Sequence, residues 1–485
     1  MNLGFIESKT YDEISVGDTA GTEHVLTTDD AMAFASISGF HSMLNSAELL
    51  ERAGGIPPTG PNMWCASLIS GLFSMNIPGP GCTLTNVSLN FHNRIRVGDR
   101  ILVKVTVTAK DDATKRVAFD CEAHNGSGDA IFSGTAQLIA PLVKSRWSTL
   151  PVPELIVNNP YRHYLSMIAR ANSKPAVRTA IAWPCDEVSL GGAIQAFKDK
   201  LIVPVLVGCE EKIRGLAKTM ELDLTGIEIV DIETSKMAAM RAVEMARKGE
   251  VQMLMKGSLH TDEIMGAVVS REGGLRTGRR ISHVFMLDVP SYHKPLFVTD
   301  AAVNIQPDLE TKISILQNAI DVMVTLEVEN PKVAILSAVE SVNPAIPSTL
   351  DAAALCKMAD RGQITGAIVD GPLAFDNAIS SDAARIKKIT SKVAGDPDLL
   401  MVPNLEAGNI LFKQLQYLAG ALAAGVVVGA KVPIVLTSRA DDVRARVAST
   451  ALAQIFAHWR GVPGEPPVES GFLKKLTEFF EENKA

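Results

Sequence analysis

The chain has 485 residues, more than one hydrophobic core usually serves, so two or three domains are expected. Hydrophobic residues make up 47% of the sequence and aromatic residues only 5%, a balance typical of alternating strands and helices rather than of a β-sandwich. The formal net charge is -7 and no long basic run occurs, which argues against nucleic acid as a partner.

Six cysteines are scattered without Cys-x-x-Cys or mixed Cys/His spacing, so the sequence predicts reduced thiols, no metal site and a cytoplasmic protein. The N-terminus has no charged segment followed by an apolar core, so no export signal is expected. Residues 418–436 are the most apolar stretch, but Lys431 and Pro433 interrupt it. This stretch is predicted to be a buried helix followed by a strand rather than a membrane span.

Residues 1–143 are predicted to form a domain of their own. Thr27 and the acidic residues after it are a plausible start for a short helix over residues 31–38, and a longer apolar helix is predicted over residues 62–75. Strands separated by turn residues are predicted at residues 83–92, 100–108, 116–124 and 130–139. One apolar helix followed by a meander of long strands indicates the hotdog architecture, an α+β fold in which a sheet wraps around a central helix.

From residue 159 to residue 462 the pattern changes to strands alternating with helices, which predicts an α/β domain with a largely parallel sheet. A polar, proline-containing segment at residues 141–153 marks a linker, which we place at residues 144–158. The last residues, 463–485, are predicted to be a tail with one short helix whose apolar residues share a face.

Polar residues follow several predicted strands of the second domain, where open α/β sheets place their functional groups. They lie in residues 255–262, 299–304, 370–376 and 403–409. The candidate binding residues among them are Lys256, Gly257, His260, Thr261, Asn304, Asp370, Gly371 and Asn409. Each segment alone is weak evidence, because Asp, Asn and Gly are ordinary turn and cap residues. Their recurrence at four strand ends favours a substrate site.

A fifth segment lies at residues 432–444, where a short buried strand is predicted over residues 432–436 and a helix opens directly after it. Ser438 and Asp441 have the spacing of a capping box, so spacing alone leaves a structural role as open as a functional one. Arg439 is a cation in the first turn, where the helix dipole disfavours it. A bound anion, phosphate above all, would reverse that cost.

Residues 34–39, 63–70, 78–81 and 97–99 resemble the framework of MaoC-type enoyl-CoA hydratases. Those enzymes carry Asp-x-Asn-Pro-x-His after a Ser-Gly pair, and the Asp and His activate the water that adds to the substrate. Here Phe40 stands at the position of the aspartate and Asn45 at that of the histidine. Neither side chain takes a proton from water near neutral pH, so the resemblance implies a hotdog domain without hydratase activity. His41, displaced by one residue, would replace the base only if the loop were shifted.

Residues 255–261, 370–373, 405–413 and 437–441 resemble the phosphate acetyl/butyryl transferase family in their order and spacing. The chain as a whole is therefore similar to fusions of an enoyl-CoA hydratase-like domain with a phosphate acetyltransferase. The resemblance implies an isocitrate-dehydrogenase-like α/β fold with two subdomains and a cleft between them. It also implies a homodimer or higher homo-oligomer.

The same resemblance implies a reaction in which the thiol of CoA attacks an acyl phosphate, or phosphate attacks an acyl-CoA in reverse. The implied partners are CoA, acyl-CoA, inorganic phosphate and acyl phosphate, with no metal and no permanently bound cofactor. Ser438 would donate a hydrogen bond to the acyl oxygen, Arg439 would bind the transferring phosphate, and an acid after them would deprotonate the thiol. Asp442 fits that role if this loop carries a deletion relative to the family. Asp441 fits if the Arg-Ala-Asp triplet at residues 439–441 aligns with the family directly. Both stay open, and Asp442 is preferred.

Acetyl is the expected acyl group, but Tyr417 stands near the place where acetyl-specific members carry an arginine, so propionyl and butyryl stay open. Three alternatives remain: a bifunctional hydratase and acyltransferase, a non-catalytic acyl-CoA-binding scaffold, and an isocitrate-type dehydrogenase. The acid after the Ser-Arg pair argues against a scaffold, which needs no thiol base. The lack of clustered aspartates for a metal-bound hydroxy acid argues against a dehydrogenase.

Overall fold

A computed structural model describes residues 5–39, 62–148, 162–437 and 443–461. The chain divides into two compact units, Met1–Val157 and Asn158–Ala485, each with hydrophobic core of its own. Among the described helices, none is both long and apolar enough to cross a bilayer.

The first unit is a five-stranded antiparallel sheet packed on one long helix. Its elements in chain order are β1 (Phe5–Glu7), a short 3-10 turn (Tyr11–Glu13), β2 (Thr19–Val25), α1 (Thr28–Ser38), α2 (Asn62–Met75), β3 (Thr83–Phe91), β4 (Arg100–Asp111), β5 (Arg116–Asn125), β6 (Ala130–Ile139) and β7 (Arg146–Ser148). The strand order is β2-β4-β5-β6-β3, and β1 pairs with β7 in a separate two-stranded ladder.

Alternating side chains explain why this sheet wraps around α2. On β4 the residues Ile101, Val103, Val105 and Val107 are buried while their neighbours face outward, the period-two pattern of a half-buried strand. Phe73 of α2 packs against Phe119 of β5, with ring centroids 5.0 Å apart. The two helices and four long strands expected from the sequence are confirmed, and with them the hotdog architecture.

The start of α1 follows its sequence signal closely. Thr27 lies at the N-cap and accepts a hydrogen bond from the Asp30 amide at 3.1 Å, while the Asp30 carboxylate accepts from the Thr27 amide at 2.9 Å. This reciprocal capping box satisfies two amides that the helix cannot pair by itself.

Within the segment predicted to be a linker, Arg146–Ser148 forms strand β7. Trp147 of this strand pairs with Ile6 of β1 in an antiparallel ladder. The proline and serine residues near this strand are typical of a linker. The strand forms because β1, from the start of the chain, provides hydrogen-bond partners for its main chain.

The second unit is an α/β structure built on an eleven-stranded sheet. Its elements are α3 (Arg162–Asn172), β8 (Val177–Ala182), α4 (Glu187–Lys198), β9 (Ile202–Gly208), α5 (Glu210–Thr219), β10 (Glu228–Asp231), α6 (Ser235–Lys248), β11 (Met253–Lys256), α7 (Thr261–Val269), β12 (Ser282–Asp288), β13 (Leu296–Thr299), α8 (Leu309–Thr325), β14 (Lys332–Leu336), α9 (Pro347–Asp360), β15 (Ile368–Leu373), α10 (Phe375–Ile379), α11 (Ser381–Ile386), β16 (Leu399–Met401), α12 (Leu405–Tyr417), β17 (Leu422–Val428), β18 (Ile434–Val435) and α13 (Val443–Trp459). The strand order is β10-β9-β8-β11-β18-β17-β12-β13-β16-β14-β15.

Strand direction reverses in the middle of this sheet. The strands from β10 to β18 are parallel, β17 is antiparallel to β18, β12 to β17, and β13 to β12. The strands from β13 to β15 are again parallel to one another. The expectation of a largely parallel sheet therefore holds within each half but not across the sheet. Two strands joined by a helical crossover run parallel, but strands that are neighbours without such a connection need not do so. The strand direction reverses at the antiparallel pairs β18–β17, β17–β12 and β12–β13.

The predicted buried helix at the start of residues 418–436 is wrong, because Leu422–Val428 forms strand β17. This strand is flanked on both sides by β12 and β18 and is buried over most of its length. Its run of small and β-branched residues suits a central strand, and a short apolar run does not distinguish a buried strand from a buried helix. The strand expected over residues 432–436 is confirmed only for Ile434–Val435.

Gly134 of β6 is expected to be essential to the first unit, because β6 and β3 approach closely there. A Cβ at residue 134 would lie 2.0 Å from the Ser88 carbonyl oxygen and 2.8 Å from the Leu89 Cα. Gly134→Ala should therefore lower the free energy of unfolding by about 2–3 kcal/mol, as overpacking does. The measurement is urea unfolding of the full chain followed by circular dichroism, with hydrogen exchange of β3 as a local readout.

Gly71→Ala is the matched control, because nothing lies within 4 Å of a Cβ at that position in α2. It should stabilise the unit by up to about 1 kcal/mol through helix propensity. Equal effects of the two substitutions would show that the close approach at Gly134 does not exist.

Candidate active site

The end of β11 is held against the end of β8 by the main chain of Gly257. Its amide donates to the Ala182 carbonyl at 2.8 Å, and a Cβ there would lie 2.4 Å from that oxygen and 2.3 Å from the Trp183 oxygen. Ser258 adds two hydrogen bonds to the Trp183 carbonyl, from its amide at 2.9 Å and its hydroxyl at 3.0 Å. Only glycine fits this approach without moving the main chain, so Gly257 fixes the path of the loop that follows the strand.

Lys256 and the start of α7 place positive groups beside this loop. Lys256 ends β11 and is only 4% exposed. His260 lies at the N-cap of α7 and Thr261 is its first residue, both exposed, and the His260 amide donates to the Glu263 carboxylate at 2.8 Å. A lysine close to a helix N-terminus favours an anionic ligand.

Asp300, Asn304 and Asn409 form a second group, after β13 and at the start of α12. The Asp300 carboxylate accepts hydrogen bonds from the amides of Ala302, Val303 and Asn304 and from the Asn304 side chain at 2.6 Å. Burial raises the pKa of Asp300, and these hydrogen bonds oppose the increase. The group builds a rigid turn after β13.

The side-chain amides of the two asparagines are engaged by the main chain. Asn304 Nδ2 donates to the Ile281 carbonyl at 2.9 Å, and Asn409 Nδ2 donates to the Ala301 carbonyl at 3.3 Å. Both residues therefore hold the turn after β13 in place.

Asp370 and Gly371 lie within β15 and form a third group. The Asp370 carboxylate accepts from the Gly371 amide at 2.8 Å. Burial raises the pKa of the neighbouring Cys356 thiol to about 12, and the charge of Asp370 adds to the increase. Among the described residues, no group of three or more His, Cys, Asp or Glu side chains is placed to hold a metal ion.

Strand direction decides which of the predicted residues lie at the same edge of the sheet. β11 and β18 are parallel neighbours, with Leu254 opposite Ile434 and Met255 opposite Val435. Lys256 is therefore next to Leu436 in this register. β13, β15 and β16 run in the opposite direction to β11, so the turns after β13 and β16 lie at the opposite end of the strands from Lys256. Ser438, Arg439, Asp441 and Asp442 lie outside the described residues.

Thr437, the last described residue before these four, is anchored by a buried arginine that the sequence analysis missed. Arg446 of α13 is 4% exposed and donates from Nη1 to the Thr437 hydroxyl at 2.7 Å. One turn further along α13, the Ser449 hydroxyl accepts from the Gly425 amide of β17 at 2.9 Å. Arg446 is the one charged residue in residues 445–457, a segment rich in alanine and other apolar residues, and this is the signal that could have identified it.

Comparison with known proteins places the second unit among phosphate acyltransferases. A phosphate acetyltransferase from Rhizobium meliloti is 58% identical over 294 residues, which covers 61% of this chain and 93% of that protein. A phosphate butyryltransferase from Clostridium acetobutylicum is 41% identical over 296 residues, covering 61% of this chain and 98% of that protein.

A solved branched-chain phosphotransacylase from Enterococcus faecalis is similar in structure, with a TM-score of 0.51 and 30% identity over 58% of this chain and 99% of that one. The model of the phosphate acetyl/butaryl transferase family matches residues 236–454, a range that contains β11, α7, β18 and most of α13. The chain therefore belongs to the phosphate acetyl/butyryl transferase family and is an acyltransferase.

Proposed function

We propose that this chain interconverts acetyl-CoA and phosphate with acetyl phosphate and CoA at the carboxyl ends of the neighbouring strands β11 and β18. One observation carries the proposal: the parallel register of β11 and β18 sets the buried Lys256 beside the strand that leads into Ser438 and Arg439. The preference for acetyl is supported by the 58% identity to a phosphate acetyltransferase, against 41% to a phosphate butyryltransferase.

In the direction of acetyl-CoA synthesis, the CoA sulfur attacks the carbonyl carbon of acetyl phosphate. The carbon–sulfur bond forms, the bond to the phosphate oxygen breaks, and phosphate leaves. Asp442, or Asp441, takes the thiol proton, while Arg439 binds the phosphate and Ser438 donates a hydrogen bond to the oxygen on which charge develops. A thiol has a pKa near 8.5, so a carboxylate base next to it raises the thiolate fraction at neutral pH.

The proposed binding residues differ in what they contribute. Lys256, His260 and Thr261 offer charge and polar groups for a phosphate of CoA or of acetyl phosphate, and Gly257 holds their loop. Asn304, Asn409, Asp370 and Gly371 lie on or after strands that run opposite to β11 and β18, so they are not proposed to contact the phosphate at the ends of those two strands. The partners are CoA, acyl-CoA, inorganic phosphate and acyl phosphate, and the proposed setting is a cytoplasmic homodimer or higher homo-oligomer.

The first unit is proposed to be a hotdog domain that has lost hydratase chemistry. Its architecture fits a central helix within an antiparallel sheet. Phe40, His41 and Asn45, on which the hydratase question depends, lie outside the described residues. Phenylalanine and asparagine cannot act as a general acid/base pair, whatever their placement.

Purified protein mixed with acetyl-CoA and phosphate should release free CoA only when phosphate is present. Arg439→Gln should lower kcat/KM by about a hundredfold or more, because a charge that stabilises the transferring phosphate is removed. Free thiol is measured by a colorimetric reagent, with propionyl-CoA and butyryl-CoA compared in parallel.

Arg385→Gln is the matched control, since Arg385 is 75% exposed and pairs only at the surface with Asp382 among its described contacts. Its activity should equal that of the parent protein. An absence of phosphate-dependent release with all three acyl-CoA substrates would disprove the proposed function.

Asp441→Asn and Asp442→Asn should separate the thiol base from the helix cap. The base variant should lose about a hundredfold or more in kcat with little change in melting temperature. The cap variant should keep most of its activity and lose about 0.3–1 kcal/mol of stability, because a carboxylate at the positive helix end is neutralised. Initial rates and thermal unfolding of both variants provide the test. Full activity in both variants would show that neither aspartate is the base.

Crotonyl-CoA should keep its enoyl absorbance in the presence of the protein, because Phe40 and Asn45 supply no general base. The measurement is absorbance of the conjugated thioester over time, with an active enoyl-CoA hydratase as a positive control. A robust loss of the band would establish the bifunctional alternative instead.

A further inference from the structure

A cavity lies at the carboxyl end of α13, away from the residues proposed for acyl transfer. It has a volume of about 360 Å³, and its lining includes Arg279, Gly429, Trp459 and Arg460. Gly429 directly follows β17, which is antiparallel to β18, whereas β18 is parallel to β11. The cavity is therefore at the end of the sheet opposite Lys256, and the acyl-transfer reaction gives its lining residues no role.

A second cavity, of about 550 Å³, adjoins the first. The two share Arg279, Asp321 and Trp459 in their linings. The second is also lined by the apolar side chains of Ile313 and Val324 on α8. Both volumes are in the range usual for small-molecule pockets. One cavity is thus bordered mainly by charged groups, and its neighbour is partly apolar.

The charged side chains of the first cavity leave an excess of positive charge. Arg279 forms an ion pair with Asp321, and Gln317 Nε2 donates to the other carboxylate oxygen of Asp321 at 3.1 Å. Arg460 Nη1 donates to the Ala430 carbonyl at 2.7 Å, and in the part of the chain that the structure describes no carboxylate forms an ion pair with Arg460. Two guanidinium groups thus meet one carboxylate and the partial negative charge of the α13 end. This balance favours an anionic ligand.

Trp459 lies at the junction of the two cavities. Its ring packs against Phe456, with centroids 5.7 Å apart. Its Nε1 is buried and has no hydrogen-bond partner within the described ranges. Buried N–H groups are nearly always paired, so this one is available to an acceptor on a ligand. An indole wall next to guanidinium groups suits a planar ring that carries negative charge.

We propose that the two cavities together form a second ligand site, which binds an organic phosphate of nucleotide size. The phosphate group lies between Arg279 and Arg460, because guanidinium groups form strong charge-assisted hydrogen bonds to phosphate oxygens. The planar, less polar part of the ligand lies along Trp459 toward Val324. This site is at the opposite end of the sheet from Lys256, so its ligand is not a substrate of the acyl-transfer reaction.

Titration of the full chain with AMP, followed by isothermal calorimetry, tests the proposal. AMP should bind at least about tenfold more tightly than either adenosine or inorganic phosphate, because each of these occupies only one of the two cavities. Arg460→Gln should weaken AMP binding by about tenfold or more, since a hydrogen bond between two charged groups is lost.

Arg279→Gln provides an independent variant on a different element. It removes one cation and leaves the Asp321 carboxylate without its ion pair, so AMP binding should again weaken by about tenfold or more. Arg385→Gln is the matched control, because Arg385 is 75% exposed and does not line either cavity. Its affinity for AMP should stay within about twofold of the parental value. The melting temperature of each variant shows whether it is folded, and loss of folding in one arginine variant leaves the other as the test.

The proposal is overturned if the parent does not bind AMP, or if adenosine or phosphate alone binds as tightly as AMP. It is also overturned if Arg460→Gln and Arg279→Gln bind AMP as tightly as the parent does. AMP that occupied the acyl-transfer site instead would give this last result, and its binding would be weakened by Arg439→Gln. Binding is measured without turnover, so a protein that releases no CoA still gives a clear answer, and failure of the proposed function is seen separately.

Discussion

The parallel pairing of β11 with β18 is the contact on which the candidate site depends. It is only two residue pairs wide, yet it joins a strand that ends in Lys256 to one that continues into Ser438. Such a short ladder supplies few hydrogen bonds, so its geometry is fixed mainly by what packs around it. Gly257 on one side and Arg446 on the other provide that support through main-chain and side-chain hydrogen bonds.

Helix α13 provides much of the surrounding structure. It is buried on all faces from Ala445 to His458, as expected of a mainly apolar helix within a core. Its few polar residues are used to fix neighbouring segments: Arg446 binds Thr437, Ser449 binds Gly425, and His458 Nε2 lies 2.8 Å from the Pro175 carbonyl. A buried arginine is costly unless it is paired, and the hydrogen bond from Arg446 to Thr437 links α13 to the residues that follow β18.

In each unit, taken by itself, the residues proposed to decide the chemistry follow a well-packed helix or strand in the sequence. In the first unit a sheet with strict alternation encloses α2, and the residues that would decide hydratase chemistry follow α1. In the second unit the sheet and α13 enclose the end of β18, and the proposed acyl-transfer residues follow it. Under the proposed function, the identity of these residues rather than the fold decides the chemistry: Phe40 and Asn45 leave no general base, whereas an aspartate after Ser438 and Arg439 supplies one.

The sequence by itself determined the local structure and the family. Alternation of apolar residues predicted strands such as β4, the capping box at Thr27 predicted the start of α1, and the motifs around Lys256 and Arg439 indicated a phosphate acyltransferase. These signals are carried by residues close together in the chain, so they survive without knowledge of the fold. Only the tertiary structure decided that residues 422–428 form a strand and that the two halves of the sheet run in opposite directions. Each of these depends on which distant segments become neighbours, and no periodicity in the sequence specifies that choice.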